Sequence, residues 1–194
     1  MSEEDFLRWA LANRVRAEWV EGEVIVMAPG NIDHQDLMGW LYCLLATFVE
    51  QRDLGKAIFD CFTRLSKPRP QIRVPDVLFI EKGRLAELAR TGQPVQGSPD
   101  LVMEVVSADS AARDWREKYA VYQAAGVREY WIIDPANRIV EAYQLDAGGY
   151  RKIDQHDGKI TSVVVHGWYL RPQWLWQQPR PLVLELLAEL GVRN

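Results

Sequence analysis

A single carboxylate interrupts an apolar segment near the middle of the chain. Glu104 stands within Leu-Val-Met-Glu-Val-Val at positions 101–106, where apolar residues occupy both alternating faces. That pattern predicts a strand covered on both sides, as in an α/β sheet. Burying a carboxylate without a partner is costly, so Glu104 is expected to have a cation or hydrogen-bond donors beside it. A sheet-edge position or a salt bridge to an arginine is the structural alternative.

A second acid, Asp76, follows Pro75 and precedes an apolar run, within a strand expected from Val74 to Ile80. Proline cannot donate to a strand ladder, so Pro75 indicates an edge or a bulge. If this strand lies beside the one that carries Glu104, a strand spacing of about 5 Å would let the two acids converge. Two carboxylates with open water positions suit Mg²⁺ or Mn²⁺. Taken alone, Asp76 is equally compatible with a turn aspartate.

A rival acid, Asp100, also follows a proline and shares the strand and the parity of Glu104. Four residues of an extended strand span about 13 Å, so Asp100 and Glu104 could not share one metal without a bulge. Asp76 is therefore preferred as the metal ligand. Asp100 is interpreted as the residue that starts the strand.

Helical spacing places one lysine on a buried stripe. Lys118 comes three residues after Trp115 and four before Tyr122, and such positions share one face of a helix. A lysine on an inner face should direct its ammonium group at something negative, such as a metal site with a phosphate. The alternatives are a lysine whose head group reaches solvent, or an ion pair with Asp114.

A looser set of polar residues lies nearer the amino terminus. Glu18 and Glu23 flank the turn of an expected hairpin, and one of them could add a metal ligand. His34 lies at the expected start of a helix, where it could touch phosphate or water. Taken singly, each of these is a weak indication.

Length and composition limit the class of protein. The 194 residues fit one domain, 1–194, with 48% hydrophobic and 26% charged residues, as in ordinary globular proteins. No apolar run approaches the roughly 20 residues that span a bilayer. The acidic start is unlike a signal peptide, and two cysteines are too few for a disulfide framework or a zinc site. A cytoplasmic protein without a membrane partner is expected.

The net charge of −4 argues against a protein permanently coated with DNA. It does not exclude brief contact through a local basic patch. One acid-free stretch supplies such a patch, which is read either as a nucleic-acid contact or as a solvated loop. Its basic residues are Arg64, Lys67, Arg69 and Arg73.

The elements that must position these residues follow from periodicity and turn signals. Helices are expected at 1–14, after Pro29-Gly30 with Asn31 or Asp33 as the N-cap, at 111–125 ending at Gly126, and at 182–190. The segment 107–110 is the expected start of the third helix. Strands are expected at 18–20, 23–27, 57–59, 63–65, 74–80, 101–106, 130–133 and 139–145. This order predicts an α/β protein with a mixed sheet flanked by helices.

Several of these segments together resemble a known family. They are Glu18-Trp-Val-Glu-Gly22-Glu23, His34, Val74-Pro-Asp76-Val, Pro99-Asp-Leu-Val-Met-Glu104-Val-Val-Ser107, Lys118-Tyr-Ala-Val-Tyr122 and Gly126-Val-Arg-Glu-Tyr-Trp131-Ile-Ile-Asp-Pro135. In order and spacing they resemble the Uma-two family of restriction endonuclease-like proteins. That family is similar to the PD-(D/E)XK nucleases. The resemblance implies a restriction-endonuclease-like core and magnesium-dependent cleavage of DNA phosphodiesters.

The resemblance also implies roles for individual residues. Asp76 would be the acid after the proline, Glu104 the second metal ligand, and the backbone carbonyl of Val105 would complete the protein ligands. The lysine that nucleases of this kind carry two residues after the acid is missing, because position 106 is valine. Lys118 on the following helix resembles its replacement. Ala108 stands where the family often has proline.

The resulting hypothesis is a metal-dependent endonuclease in which Lys118 orients the attacking water or neutralises charge at phosphorus. His34 and Glu18 would assist or add ligands. A two-fold homodimer is expected only by analogy with nucleases that cut both strands. One alternative is an inactive fold that binds a protein or nucleic acid, suggested by the acidic charge and by an exposed tail rich in tryptophan. Another is a metal-dependent hydrolase of small phosphate esters.

Overall fold

The computed structural model describes residues 1–27, 31–107 and 113–192, together with all their side chains except those of residues 113 and 114. The predicted helix start at 107–110, and with it Ala108, lies largely outside the described residues. The α-helices are α1 (Glu3–Asn13), α2 (Ile32–Gln51), α3 (Leu85–Leu88), α4 (Tyr119–Ala125), α5 (Pro172–Trp176) and α6 (Val183–Glu189). A 3₁₀ turn, Lys82–Arg84, precedes α3, and a π-helical segment, Arg113–Lys118, precedes α4.

The strands of the described residues form two larger sheets and one small one. Sheet one has the order β2-β1-β5-β4-β7, sheet two the order β11-β10-β9-β8-β6-β3, and the small sheet pairs β12 with β13. The strands are β1 (Ala17–Val20), β2 (Glu23–Val26), β3 (Gly55–Phe59), β4 (Thr63–Leu65), β5 (Gln71–Arg73), β6 (Val77–Glu81), β7 (Val95–Gln96), β8 (Leu101–Val105), β9 (Glu129–Asp134), β10 (Ile139–Asp146), β11 (Gly149–Lys152), β12 (Ile160–Thr161) and β13 (Tyr169–Leu170).

Sheet two carries the core on both of its faces. Its central strand β8 runs parallel to β9 and antiparallel to β6. One face packs against α2 and the carboxyl-terminal segment, through residues such as Leu41, Met103 and Trp168. The other face packs against α4, through residues such as Val102 and Tyr122. The predicted mixed sheet flanked by helices is therefore confirmed.

Helix α2 begins where its cap is expected. The Asn31 side chain accepts a hydrogen bond from the backbone N–H of His34 at 2.8 Å, so Asn31 rather than Asp33 is the N-cap. Apolar residues at three- and four-residue spacing bury one face of the helix against sheet two. The cap and the buried face together fix His34 in the first turn.

The strand predicted from Val74 to Ile80 starts three residues later than predicted, because residues 74–76 form a crossing between two sheets. β5 ends at Arg73 in sheet one, and β6 begins at Val77 in sheet two. Pro75 stands between them and cannot donate to either ladder, which is why the pairing breaks there. Val77 pairs with Met103, so one step further along this register Asp76 stands opposite Glu104.

The carboxyl-terminal tryptophans are not exposed, and that expectation is wrong. Trp168 and Trp174 are buried, and Trp176 is half-buried. The start of this segment is tied to β9, because the buried carboxylate of Glu129 accepts hydrogen bonds from the N–H groups of Val163 and Val164 at 2.7 and 3.0 Å. Within the described ranges, no helix combines the length and apolar character required to cross a bilayer.

Candidate active site

Three of the predicted site residues meet where the chain crosses from sheet one to sheet two. Asp76 lies at the crossing, Glu104 on β8, and Lys118 at the end of the π-helical segment. Their exposed fractions are 3%, 1% and 1%. Lys118 Nζ lies 2.9 Å from Glu104 Oε2, so the lysine does occupy the inner face. The side chain of Asp114, its alternative partner, lies outside the described part.

Asp76 is held by donors on both oxygens. Its Oδ2 accepts the backbone N–H of Val105 at 2.8 Å, and its Oδ1 accepts Nη2 of Arg16 at 2.7 Å. Nε2 of His34 lies 3.8 Å from the same Oδ1, which is too long for a direct hydrogen bond. Burial would raise the pKa of Asp76, but His34 and the positive charges of Lys118 and Arg16 outweigh it and hold the pKa below its ordinary value.

Tyr122 completes the surroundings of Glu104. Its hydroxyl donates to Glu104 Oε1 at 2.7 Å, one helical turn after Lys118. Burial and the negative charge of Glu104 raise the pKa of Tyr122 well above its ordinary value, so the hydroxyl stays protonated as a donor. In the sequence Tyr122 served only to define the buried stripe. Its spacing of four residues from Lys118 was the signal for this second role.

Glu18 lies beside the cluster and is fully buried on β1. Its carboxylate accepts Nη1 of Arg73 at 2.9 Å and the N–H of Val74 at 3.3 Å, and Lys118 Nζ lies 4.0 Å away. Burial would raise the pKa of Glu18, but the charges of Lys118 and Arg73 lower it below its ordinary value. Glu18 therefore fixes the crossing segment and adds negative charge beside Lys118. Glu23 is exposed on β2.

Arg16 is the site residue that sequence reasoning missed. It contacts Asp76 and also donates from Nε to Asp60, so one guanidinium bridges two acids. Burial lowers the pKa of Arg16, but Asp76 and Asp60 raise it above the ordinary value of arginine, so the side chain stays charged. Arg16 has no periodic or motif signal, since it lies just before β1 and meets Asp76 only in the folded chain.

The four basic residues predicted as one patch do not form one. Arg64 pairs with Glu3, Arg69 pairs with Glu21, and Lys67 is exposed. Arg73 is fully buried and pairs with Glu18 and Glu117. The prediction that Arg73 contacts nucleic acid is wrong, because its buried guanidinium forms two internal ion pairs. These pairs connect β5 with β1 and with the π-helical segment.

The rest of the predicted metal set can be tested against these contacts. Among the described residues, no three His, Cys, Asp or Glu side chains are grouped so that they could hold a metal ion, so Glu18 does not form a three-acid group with Asp76 and Glu104. Val106 N–H donates to Ile133 O on β9, whereas Val105 N–H donates to Asp76. Because the N–H and C=O of one strand residue face the same neighbour, the Val105 carbonyl faces the Asp76 side.

Two carboxylates and one carbonyl form a donor set that suits Mg²⁺. This ion is commonly bound through one or two carboxylates and keeps several waters. Arg16 and Lys118 now contact the two acids, so a metal would have to displace or share these contacts. The two carboxylates and the carbonyl therefore fit Mg²⁺ in ligand type and number.

A cleft of about 520 Å³ opens beside the cluster. Its lining includes His34 from the first turn of α2, Val106 and Ser107 after β8, and residues of the β9–β10 turn and of the segment after α5. His34 therefore faces both Asp76 and the cleft. The cleft is therefore one approach by which a substrate could reach Asp76.

Comparison with known proteins gives matches to solved structures and to a protein family. The structure resembles a crystal structure described as a putative nuclease belonging to DUF820 from Anabaena variabilis, with a TM-score of 0.67 and 17% sequence identity over 82% of this chain and 89% of that chain. At that identity the likeness shows the fold. No curated protein matches the sequence. The sequence profile of the Uma2 family, described as "Putative restriction endonuclease", matches residues 3–173, and the chain therefore belongs to the Uma2 family.

Proposed function

We propose that this protein is a metal-dependent endonuclease that hydrolyses phosphodiester bonds of DNA. The observation that carries the proposal is the buried meeting of two carboxylates, one directly before β6 and one on the adjacent strand β8, with a lysine from the neighbouring π-helical segment. The family description and the nuclease fold of the matched crystal structure support the class of reaction.

Asp76 and Glu104 would hold Mg²⁺ or Mn²⁺, together with the backbone carbonyl of Val105. Bound there, the ion would polarise a phosphate oxygen and acidify a water molecule. Tyr122 keeps Glu104 oriented by donating to its other oxygen. Asp76 directly precedes β6 and Glu104 lies on β8, so the pairing of β6 with β8 brings the two acids opposite each other.

Lys118 and His34 would act on the substrate itself. The Lys118 ammonium would turn from Glu104 towards the attacking water or the phosphoryl oxygens, where it neutralises developing charge. Nδ1 of His34 is buried without a hydrogen-bond partner in the described structure, so it is available to a water or a phosphate oxygen. Hydrolysis joins the water oxygen to phosphorus and breaks one P–O ester bond, and the departing oxygen takes up a proton.

One observation favours a second candidate function, an inactive nuclease fold that binds a partner. Arg16 and Lys118 already neutralise Asp76 and Glu104 without a metal. Titrating Mn²⁺ while following the thermal midpoint separates the two, because only a protein that binds the ion in its folded state is stabilised. An intact fold with an unchanged midpoint favours the binding module.

The direct test is Mg²⁺-dependent nicking of a supercoiled plasmid. Asp76→Asn, Glu104→Gln and Lys118→Met are each expected to lower the rate by about 10²–10³-fold or more, whereas Glu185→Gln on the exposed side of α6 leaves it unchanged. Equal activity in all of these proteins would remove the assignment. Parallel assays with RNA and with a small phosphodiester distinguish an RNA-cutting enzyme and a small-ester hydrolase.

A further inference from the structure

The cleft beside the active site has walls from four separate parts of the chain, one of which is Val106 and Ser107 after β8. Its volume of about 520 Å³ falls in the range of roughly 300–1,000 Å³ that is usual for small-ligand sites. The first turn of α2 contributes His34, the β9–β10 turn contributes Arg138, and the end of α5 with the segment that follows contributes Trp176 and Arg180. The cleft therefore reaches the first acid through His34, whose Nε2 lies 3.8 Å from Oδ1 of Asp76.

The charge of the lining favours an anion. Arg138 is exposed, and its guanidinium has no ion-pair partner among the described side chains. Arg180 pairs with Asp36, which leaves it anchored at the cleft wall. Asp33 is the one acid in the described lining. An unpaired arginine at the mouth of a pocket is suited to a phosphate, which it can contact with two parallel N–H groups.

Trp176 gives the same cleft an aromatic surface. It is the last residue of α5, and its two predecessors, Trp174 and Leu175, are buried in the core and hold the short helix in place. Trp176 is itself half-buried, with part of its side chain lining the cleft. A rigid indole beside an arginine matches a nucleotide, since single-stranded nucleic acid is bound by aromatic rings under the bases and by positive charge along the backbone.

We propose that this cleft takes up an unpaired nucleotide next to the phosphodiester that is cut, with its base on Trp176 and its phosphate on Arg138. The inference rests on the proposed nuclease function and adds the substrate class. Bases inside a continuous duplex are already stacked and paired, so they cannot reach the indole unless the strand opens. The preferred substrate is therefore DNA with a single-stranded stretch at the cut site.

The experiment measures binding without metal, so that it does not depend on cleavage. Fluorescence anisotropy with a labelled single-stranded 12-mer and with the matching duplex is recorded in EDTA across a salt series. The wild-type protein should bind the single strand more tightly than the duplex. Trp176→Leu, which keeps an apolar group in the packing, should weaken single-strand binding about 5- to 100-fold. Arg138→Gln should reduce the slope of log affinity against log salt by about 0.7.

The matched control is Arg151→Gln, which removes an exposed arginine of β11 that lies outside the cleft lining. The inference is overturned if the wild type binds the duplex at least as tightly as the single strand. It is also overturned if correctly folded Trp176→Leu and Arg138→Gln bind like the control. A loss of cleavage on Asp76→Asn with unchanged binding preferences supports both proposals. If the wild type does not cleave DNA but still binds the single strand more tightly than the duplex, only the proposed nuclease function is refuted.

Discussion

The guanidinium of Arg16 donates to Oδ1 of Asp76 at 2.7 Å, so the first acid of the candidate metal site is held by a cation of its own chain. The second acid, Glu104, is held in the same way by Lys118. Each acid of the site is thus paired with a cation of the same chain. Both lysine and arginine must share or release their carboxylates when a divalent ion enters.

Arg16→Met should tighten metal binding. Removing the cation frees an oxygen of Asp76 and removes a charge that repels the ion, so Mn²⁺ affinity by calorimetry should rise by at least about fivefold. The unfolding midpoint without metal should fall. Arg8→Met, which breaks an exposed pair with Asp5, is the control and should leave affinity unchanged. Weaker or equal Mn²⁺ binding by Arg16→Met contradicts this competition.

The Lys118–Glu104 pair should be strongly coupled. Lys118→Met leaves a buried carboxylate beside Tyr122 without its cation and should cost about 3–5 kcal/mol of unfolding free energy. Glu104→Gln in the same chain should recover part of that loss, because the uncompensated charge is gone. Urea unfolding of the two single variants and the double variant gives the coupling. Single effects that add within about 0.5 kcal/mol would mean that the two groups do not interact.

The buried Arg73 and the exposed Arg69 give a matched comparison of two ion pairs. Arg73→Met should destabilise by about 3–5 kcal/mol, because the buried Glu18 loses its closest cation and keeps only Lys118, at 4.0 Å. Arg69→Met breaks a solvent-exposed pair with Glu21 and should cost no more than about 1 kcal/mol. Thermal and urea unfolding of both variants measure the difference. Similar small losses in the two would show that Arg73 is not a structural cation.

Acid should destabilise the protein through Glu18. Its pKa is lowered in the folded chain by Lys118 and Arg73 against the effect of burial. A carboxylate whose pKa is lower in the folded protein than in the unfolded chain stabilises the folded protein. This contribution is fully present at pH values above the unfolded pKa, about 4.3 for glutamate, and is lost as the pH falls through the folded pKa. The difference in unfolding free energy between wild type and Glu18→Gln should therefore be largest at pH 7 and decrease below about pH 4. A difference that is constant from pH 7 to pH 2 contradicts it.

Local patterns were enough to predict which side chains meet at the center of the site. The apolar run around Glu104 identified a strand buried on both faces, and helical spacing placed Lys118 on an inner face. The sequence predicts that Asp76 and Glu104 converge only if their strands are neighbours, and the pairing of β6 with β8 meets that condition. These features depend on periods of two and of about 3.6 residues, which a single chain displays.

Long-range packing accounts for what the sequence did not predict. The crossing of Val74-Pro75-Asp76 between two sheets depends on which strands pair on either side, and nothing in the strand itself reports that. The sequence predicts Arg73 as part of a basic loop, because it does not show that β1 pairs with β5 and brings Glu18 against Arg73. The sequence likewise does not show that the carboxyl-terminal segment packs on α2 and sheet two, and this packing buries Trp168.

Anomalous diffraction from crystals soaked in Mn²⁺ tests the central claim most directly, because it places the ion without relying on activity. A peak within about 2.5 Å of carboxylate oxygens of both Asp76 and Glu104, with the Val105 carbonyl beside it, is the expected result. Arg16 should then have withdrawn from Asp76. No peak at saturating Mn²⁺, with Arg16 and Lys118 still on their carboxylates, would contradict a metal-dependent nuclease at this site.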